Sequence, residues 1–447
     1  MRKILSIAIL TFRESVRTRL VAALAAVVAF IVIGLPTLLK GDGTAVGVAR
    51  MTLLYPLGTA FAFLAVAAPW TAAASLASDV KSRTLQLVRV KPVRMWQLWT
   101  GKWLGLLLLN ALLLLAAFAG VLVRLAATGG LDADEIRVAK RHIRPLLPSV
   151  ERQIAEIEAN VASHENKLTP RERRELRANL RHRLPYAHAS LAAGEKWRWF
   201  FAPGAMPQEG EPVWLQFKFH TDALAPKHPV ARIALGAEGD ADHATRLPKD
   251  IADFSAREMV FAIQAPAPGS SHRLELVIEN TADKDTPPLM VQPRQGLVLM
   301  LVAGRLELNM LRAYAELLSI LALLLAAGLA LGSFFSLPVS VFAAACLVMS
   351  VIASSYAVSD PDMLDADSLK GAPPLRWLQY HASVVVTRSI AAISAPALRP
   401  APLAHLSSSE WVPLGEMLHA LVGNGIALPL ALALLSSLHL ARKELPE

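Results

Sequence analysis

Cysteine is almost missing from this chain: one residue, Cys346, in 447. It lies within an apolar run, so no disulfide framework can form, and any domain outside the membrane must stand on its core alone. HExxH, GxSxG and CxxC patterns are absent, so zinc-peptidase, α/β-hydrolase and dithiol chemistry have no carrier here. There is no GxxxxGK[ST] phosphate loop either, since Gly101-Lys102 lacks the upstream glycine and belongs to a helix. No enzyme activity and no cofactor are therefore expected of this chain. Charge is also sparse, at 18% against 54% hydrophobic residues. With a mean hydropathy of +0.42, that is too apolar for an ordinary soluble protein.

Several runs reach the ~20 apolar residues that a bilayer crossing needs, which makes this a multi-pass membrane protein. The net charge of +9 is spread between the flanks of these runs and one soluble region. That distribution suggests orientation and contact with anionic lipid headgroups, not nucleic acid. The Met-Arg-Lys start and ILSIAIL could pass for a signal peptide. Arg13, Glu14, Arg17 and Arg19 follow with no small-residue cleavage site, so retention is expected.

Residues 1–19 have the apolar spacing of an interfacial helix along the inner leaflet. Residues 20–128 hold three spans (Leu20–Leu39, Met51–Leu76, Trp103–Ala126) and a loop at 77–102. Residues 129–195 are highly charged and predict two soluble helices that break near Leu168-Thr169-Pro170. At 196–305 the period switches to two, with candidate strands Trp197–Phe201, Val213–Phe219, Val230–Ala234, Glu258–Ile263, Arg273–Ile278 and Leu297–Val302, which predicts a small antiparallel sandwich. Residues 306–357 hold spans four (Arg312–Leu331) and five (Val339–Ala357). Residues 358–411 form a polar, proline-rich loop with two amphipathic stretches, Leu375–Ile390 and Ala391–Leu406. Residues 412–447 are span six and a basic tail. The expected fold class is thus a six-span α-helical membrane protein with a large α+β insertion between spans three and four.

Between spans two and three, the stretch Ser78–Gly105 carries Lys81, Arg83, Arg89, Lys91, Arg94 and Lys102 against one acid, Asp79. Basic flanks mark the cytoplasmic side, so both chain ends fall in the cytosol and the insertion outside. Leu85, Leu87 and Val88 give the loop an amphipathic helix that Pro92 stops. It is either a force-receiving element or a basic connector that only fixes topology.

The ordered set Asp79, Thr84, Leu85, Leu87, Pro92, Arg94, Gly101 and Lys102 resembles the coupling loop of type-2 ABC exporter permeases, in which Arg83 stands where the family has a glycine. The order of interfacial helix, six spans and half-inserted helices before the last span resembles that superfamily too. The resemblance implies a homodimer or heterodimer in a bacterial inner membrane, each subunit docking a separate ATPase subunit on its cytosolic face.

Other polar residues have plainer readings. Asp360, Asp362, Asp365 and Asp367 lack the glycine and terminal Glu of a calcium loop and fit a solvated loop. Glu316 is accounted for by an i,i+4 pair with Arg312. Glu416 and His419 fit interfacial anchoring, and Asn110 and Asn424 fit interhelical hydrogen bonding. Trp197, Trp199 and Trp214, with Phe200, could stack on a sugar ring or fill the sandwich core. The arginines 171, 173, 174, 177, 181 and 183 could meet lipid phosphates or an acidic partner, or form a solvated face. Three function classes stay open: an exporter subunit for an amphipathic, lipid-linked or saccharide solute; a transmitter that moves the external domain against an envelope partner; and a membrane-anchored sensor without an ATPase.

Overall fold

The computed structural model describes residues 2–38, 45–81, 94–128, 137–148, 150–164, 170–184, 187, 189–220, 230–239, 244–247, 258–267, 272–283, 286–293, 296–359, 376–377, 379–386 and 402–442. The chain divides into two compact units, Met1–Ala139 with Gly304–Glu447, and Lys140–Ala303.

The first unit is helical. Helix α1 (Arg2–Arg17) precedes α2 (Arg19–Leu38), α3 (Ala45–Lys81) and α4 (Met95–Ala127). After the second unit come α7 (Leu306–Phe334), α8 (Leu337–Ser359), the short α9 (Pro402–Ser407) and α10 (Leu414–Val422). A π-helical turn, Gly423–Ala427, joins α10 to α11 (Leu428–Arg442). Among the described residues, five segments are long and apolar enough to cross a membrane: Val21–Leu38, Gly47–Asp79, Met95–Ala127, Leu306–Phe334 and Leu414–Leu440. The predicted fifth span falls in α8, whose apolar described part, Leu337–Ser350, is shorter. Of the two amphipathic stretches before the last span, 376–377, 379–386 and α9 are helical, and 387–401 lie outside the described residues.

Helix–helix association in a membrane relies on close packing of small residues, because lipid is as apolar as leucine. Two glycine pairs supply it here. A Cβ on Gly328 would lie 2.3 Å from the Pro69 carbonyl oxygen, and one on Gly332 would lie 2.6 Å from that of Ala73. Helices α7 and α3 therefore touch backbone to backbone. Likewise α1 lies on α4 over Gly101 and Gly105, where a Cβ would meet Ile7 at 2.7 Å and the Ala8 carbonyl oxygen at 2.5 Å. Side chains lock the remaining seams: Trp103 Nε1 donates to the Ala322 carbonyl at 2.9 Å, and the Tyr314 hydroxyl to that of Ala111 at 3.0 Å. On α1, Ala8 and Thr11 are buried while Leu5, Ile9, Leu10 and Val16 are exposed, the two-sided pattern an interfacial helix needs.

The second unit is α+β. One sheet runs β1-β10-β4-β9-β2 with β7 also on β4, and the other runs β3-β8-β5-β6. The six predicted strands are β3 (Lys196–Phe201), β4 (Pro212–His220), β5 (Ala231–Ala237), β7 (Glu258–Gln264), β8 (Leu274–Asn280) and β10 (Leu297–Arg305). Four more went unpredicted: β1 (Val138–Ile143), β2 (Ala189–Leu191), β6 (Thr245–Arg246) and β9 (Leu289–Val291). Strand β1 corrects the purely helical reading of 129–195. Its VAKRHI sequence looks solvated, yet Lys140 is buried with its ammonium 3.9 Å over the Trp214 ring. Strand β4 is central, with Leu215 opposite Leu299 on one side and Phe261 on the other. Phe201, Phe217, Ile233, Leu276 and Leu297 fill the core.

The predicted helical hairpin is α5 (Val150–His164) and α6 (Pro170–Arg183). Arg177 meets Glu158 at 2.5 Å and Arg181 meets Glu151 at 2.8 Å. These guanidiniums hold both carboxyls below the usual carboxylate range. Arg177 and Arg181 are thus engaged within the hairpin.

The glycine seam makes a directional prediction. Gly328→Val should lower the stability of the purified protein in detergent by roughly 1–3 kcal/mol, the usual cost of overpacking. Gly415→Ala, with nothing within 4 Å of its added methyl, should be neutral. Thermal unfolding of the two variants side by side checks the contrast.

Candidate functional site

The residues proposed for coupling divide into two groups. Arg83, Thr84, Leu85, Leu87 and Pro92 lie outside the described residues, as does the amphipathic segment they form. Asp79, Arg94, Gly101 and Lys102 are described. Lys102 is 5% exposed; its ammonium lies 2.5 Å from the Asp79 carboxylate and donates to Ser75 Oγ at 3.1 Å and the Ser75 carbonyl at 3.3 Å. The end of α3 and the first turns of α4 are thereby tied at the base of the loop. Gly101, the preceding residue, is the contact with α1. Arg94 is exposed at the start of α4, where its backbone N–H donates to Gln97 Oε1 at 3.2 Å. Beside this base, a mostly apolar cavity of about 220 Å³ is lined by Ser15, Thr18, Trp70, Thr71, Ser75 and Asn110, among others. The Asn110 amide donates to the Leu106 carbonyl on its own helix at 2.9 Å.

A second polar cluster sits at the start of α7. Asn309, fully buried, donates from Nδ2 to the Glu410 carbonyl and accepts from the Val412 N–H, both at 2.8 Å. Arg312 donates to the Val412 carbonyl at 3.0 Å, and its guanidinium stacks 4.0 Å from the Trp411 ring centroid. Trp411 in turn fits only because Gly304 has no Cβ, which would lie 2.5 Å from the indole. The turn before the last span, with Ser409 at φ +56°, is thus clasped by α7. His405 Nδ1 lies 2.9 Å from Glu410 and Nε2 lies 3.8 Å from Glu416. Glu410, then Glu416, hold the imidazole above its ordinary range.

Arg312 is therefore not paired with Glu316, against the i,i+4 reading. Glu316 is 1% exposed and its carboxylate accepts no hydrogen bond. His419 is exposed and does not join the cluster. Asn424 is buried in the π-turn, where a Cβ added at Gly425 would lie 3.7 Å from the Ser319 side chain of α7. π-turns of this kind recur at functional sites in helices. A periodic signal for the clasp was present in the sequence: Asn309, Arg312 and Glu316 fall on one helical face.

The tryptophans separate. Trp199 is buried, and Trp197 is half-buried beside it with ring centroids 5.5 Å apart. Both line an open groove of about 400 Å³, with Gln153, Glu156 and Asn160 of α5 and with Pro293. Trp214 is buried beneath Lys140 and away from that groove. Among the described residues, no group of three or more His, Cys, Asp or Glu could hold a metal ion.

No protein-family model, curated protein or solved structure matches this chain. What its own helices define is a multi-pass membrane protein whose chain also folds an α+β unit.

Two outcomes follow for the clasp. Asn309→Ala leaves the Glu410 carbonyl and Val412 N–H unpartnered and should cost roughly 1–3 kcal/mol per buried group left unsatisfied, seen as faster hydrogen exchange at Val412. His405, whose pKa is raised on folding, contributes stability in full below its unfolded value of 6.5 and loses it as pH rises through the higher folded value. Exchange at Ser409–Val412, corrected for intrinsic rate, should therefore quicken above neutrality, and His405→Gln should flatten that dependence.

Proposed function

We propose that this chain is the transmembrane permease subunit of an ATP-driven transporter of the type-2 ABC exporter kind, with ATP hydrolysis in a separate subunit docked on the cytosolic loop between α3 and α4. The observation that carries the reading is the base of that loop. Lys102, Asp79 and Ser75 join the two spans where the basic segment begins and ends, and α1 packs on Gly101 and Gly105 immediately beside them. A push on the loop then reaches α1, α3 and α4 together. On this reading α8 is the fifth of six spans, both chain ends are cytosolic, the α+β unit is extracytoplasmic, and two such subunits pair in a bacterial inner membrane. The solute is amphipathic, lipid-linked or saccharide in character.

One observation favours the transmitter reading as well. Strand β10 ends at Arg305 and α7 starts at Leu306, with no loop residue between them. A movement of α7 could then act on the α+β unit and through it on an envelope partner.

Charge reversal at Arg83 should leave membrane insertion intact and deplete an ATP-hydrolysing subunit that co-purifies with the unaltered chain. A full complement of that subunit on the variant would sink the docking assignment. Topology is checked in a Cys346→Ser background: a cysteine at Gly239 should react with an impermeant thiol reagent in intact cells, and one at Lys91 only after lysis.

A further inference from the structure

Helix α7 carries one ionisable side chain into its packed face without an ion-pair partner. Glu316 is 1% exposed, and neither carboxylate oxygen has a hydrogen-bond donor. Its helical neighbours are spoken for. Arg312 serves the Val412 carbonyl and the Trp411 ring. The Ser319 hydroxyl donates at 2.7 Å to the backbone carbonyl of Glu316, not to its side chain. Ala313, Leu317 and Ile320 of α7 and Leu53 and Leu57 of α3 belong to the apolar core of this unit. Of the titratable groups on elements packed against α7, those whose charge reaches Glu316 are Glu416 on α10 and His405 on α9. The first is a like charge, and the second already lies 2.9 Å from Glu410.

An ionised carboxylate in such surroundings is strongly disfavoured, and an intramembrane acid that persists there marks an ion or proton site. A metal cation would need several further oxygen ligands, and no cluster of three or more metal-ligating side chains exists among the described residues. The ligand that satisfies the site is a proton. A second feature lies on the same seam: the π-turn Gly423–Ala427 interrupts the last helix and faces Ser319, one turn from Glu316, so that a Cβ added at Gly425 would lie 3.7 Å from the Ser319 side chain.

We propose that Glu316 is an intramembrane proton-binding site, loaded and emptied through His405 and Glu416. A proton from solvent bonds to one carboxylate oxygen, the charge rises from minus one to zero, and no other bond changes. The Glu416 side chain, 58% exposed and 3.8 Å from His405 Nε2, is the contact with water. The inference stands on the packing around α7 and holds whether or not the chain is a transporter subunit.

The test uses the full-length protein in lipid nanodiscs. Dicyclohexylcarbodiimide partitions into the bilayer and adds across a protonated carboxyl, leaving an N-acylurea that peptide mass spectrometry can read. Glu316 should be labelled at mildly acidic pH roughly tenfold over Glu307, an exposed carboxylate 3.5 Å from the Arg305 guanidinium. Labelling should decline as pH rises, and Glu316→Gln should abolish it. Infrared difference spectra between the unaltered protein and Glu316→Gln should show the carbonyl stretch of a protonated acid. Glu416→Gln should slow the change in that band after a pH jump. Labelling of Glu316 that does not vary with pH, or a difference spectrum with carboxylate bands alone, would overturn the proposal. If Glu316→Gln does not fold, the labelling series on the unaltered protein decides by itself.

Discussion

Backbone contact between α3 and α7 is the constraint on which the helical unit depends. Within a bilayer the hydrophobic effect does not press helices together, so what holds them is how closely their surfaces can meet. Gly328 and Gly332 remove the side chains that would keep α7 away from Pro69 and Ala73. Once α7 is seated, Trp103 and Tyr314 bring α4 against it, and Asn309 and Arg312 hold the turn that starts the last span. Several polar groups of this unit lie at helix ends, where they join segments, and others lie on the face of α7 that also carries Glu316, while Thr52, Asn110 and Asn424 are buried within spans.

The base of the α3–α4 loop works by a different balance. Lys102 is buried, so its charge is tolerable only with Asp79 and Ser75 in place, and removal of one member leaves the other's charge unpaired. That arrangement makes α3, α4 and α1 respond as a group to anything bound to the loop. It is the physical content behind the transporter reading, and it does not depend on the identity of the solute. The groove beside Trp197 and Trp199 keeps a saccharide reading open for the α+β unit, whereas Trp214 has its ring covered by Lys140.

Periodicity made much of this fold legible. The apolar runs of α2, α3, α4, α7 and the last helix, and the alternating strands β3, β4, β5, β7, β8 and β10, stand out because each buries one continuous face. Strands β2, β6 and β9, at two or three residues, are too short to show a period, and β1 hides because its buried Lys140 is satisfied by a ring far away in sequence. The glycine pairs are visible as letters, but their partners Pro69 and Ala73 are set by register between helices, which spacing along one chain does not reveal. The same holds for Glu316. Arg312 is the obvious partner on the helix, and only the fold shows Val412 and Trp411 taking it instead.

The central claim is that the basic loop between α3 and α4 receives an ATP-binding partner. Amine-reactive cross-linking in intact membranes, followed by mass spectrometry, tests it most directly. Cross-links from Lys81 and Lys91 should converge on one chain bearing a GxxxxGK[ST] phosphate loop, and should be lost when the cross-linker cannot enter the cytosol. Cross-links from these two lysines to secreted proteins, or to Lys196 and Lys218 of the α+β unit, would contradict it.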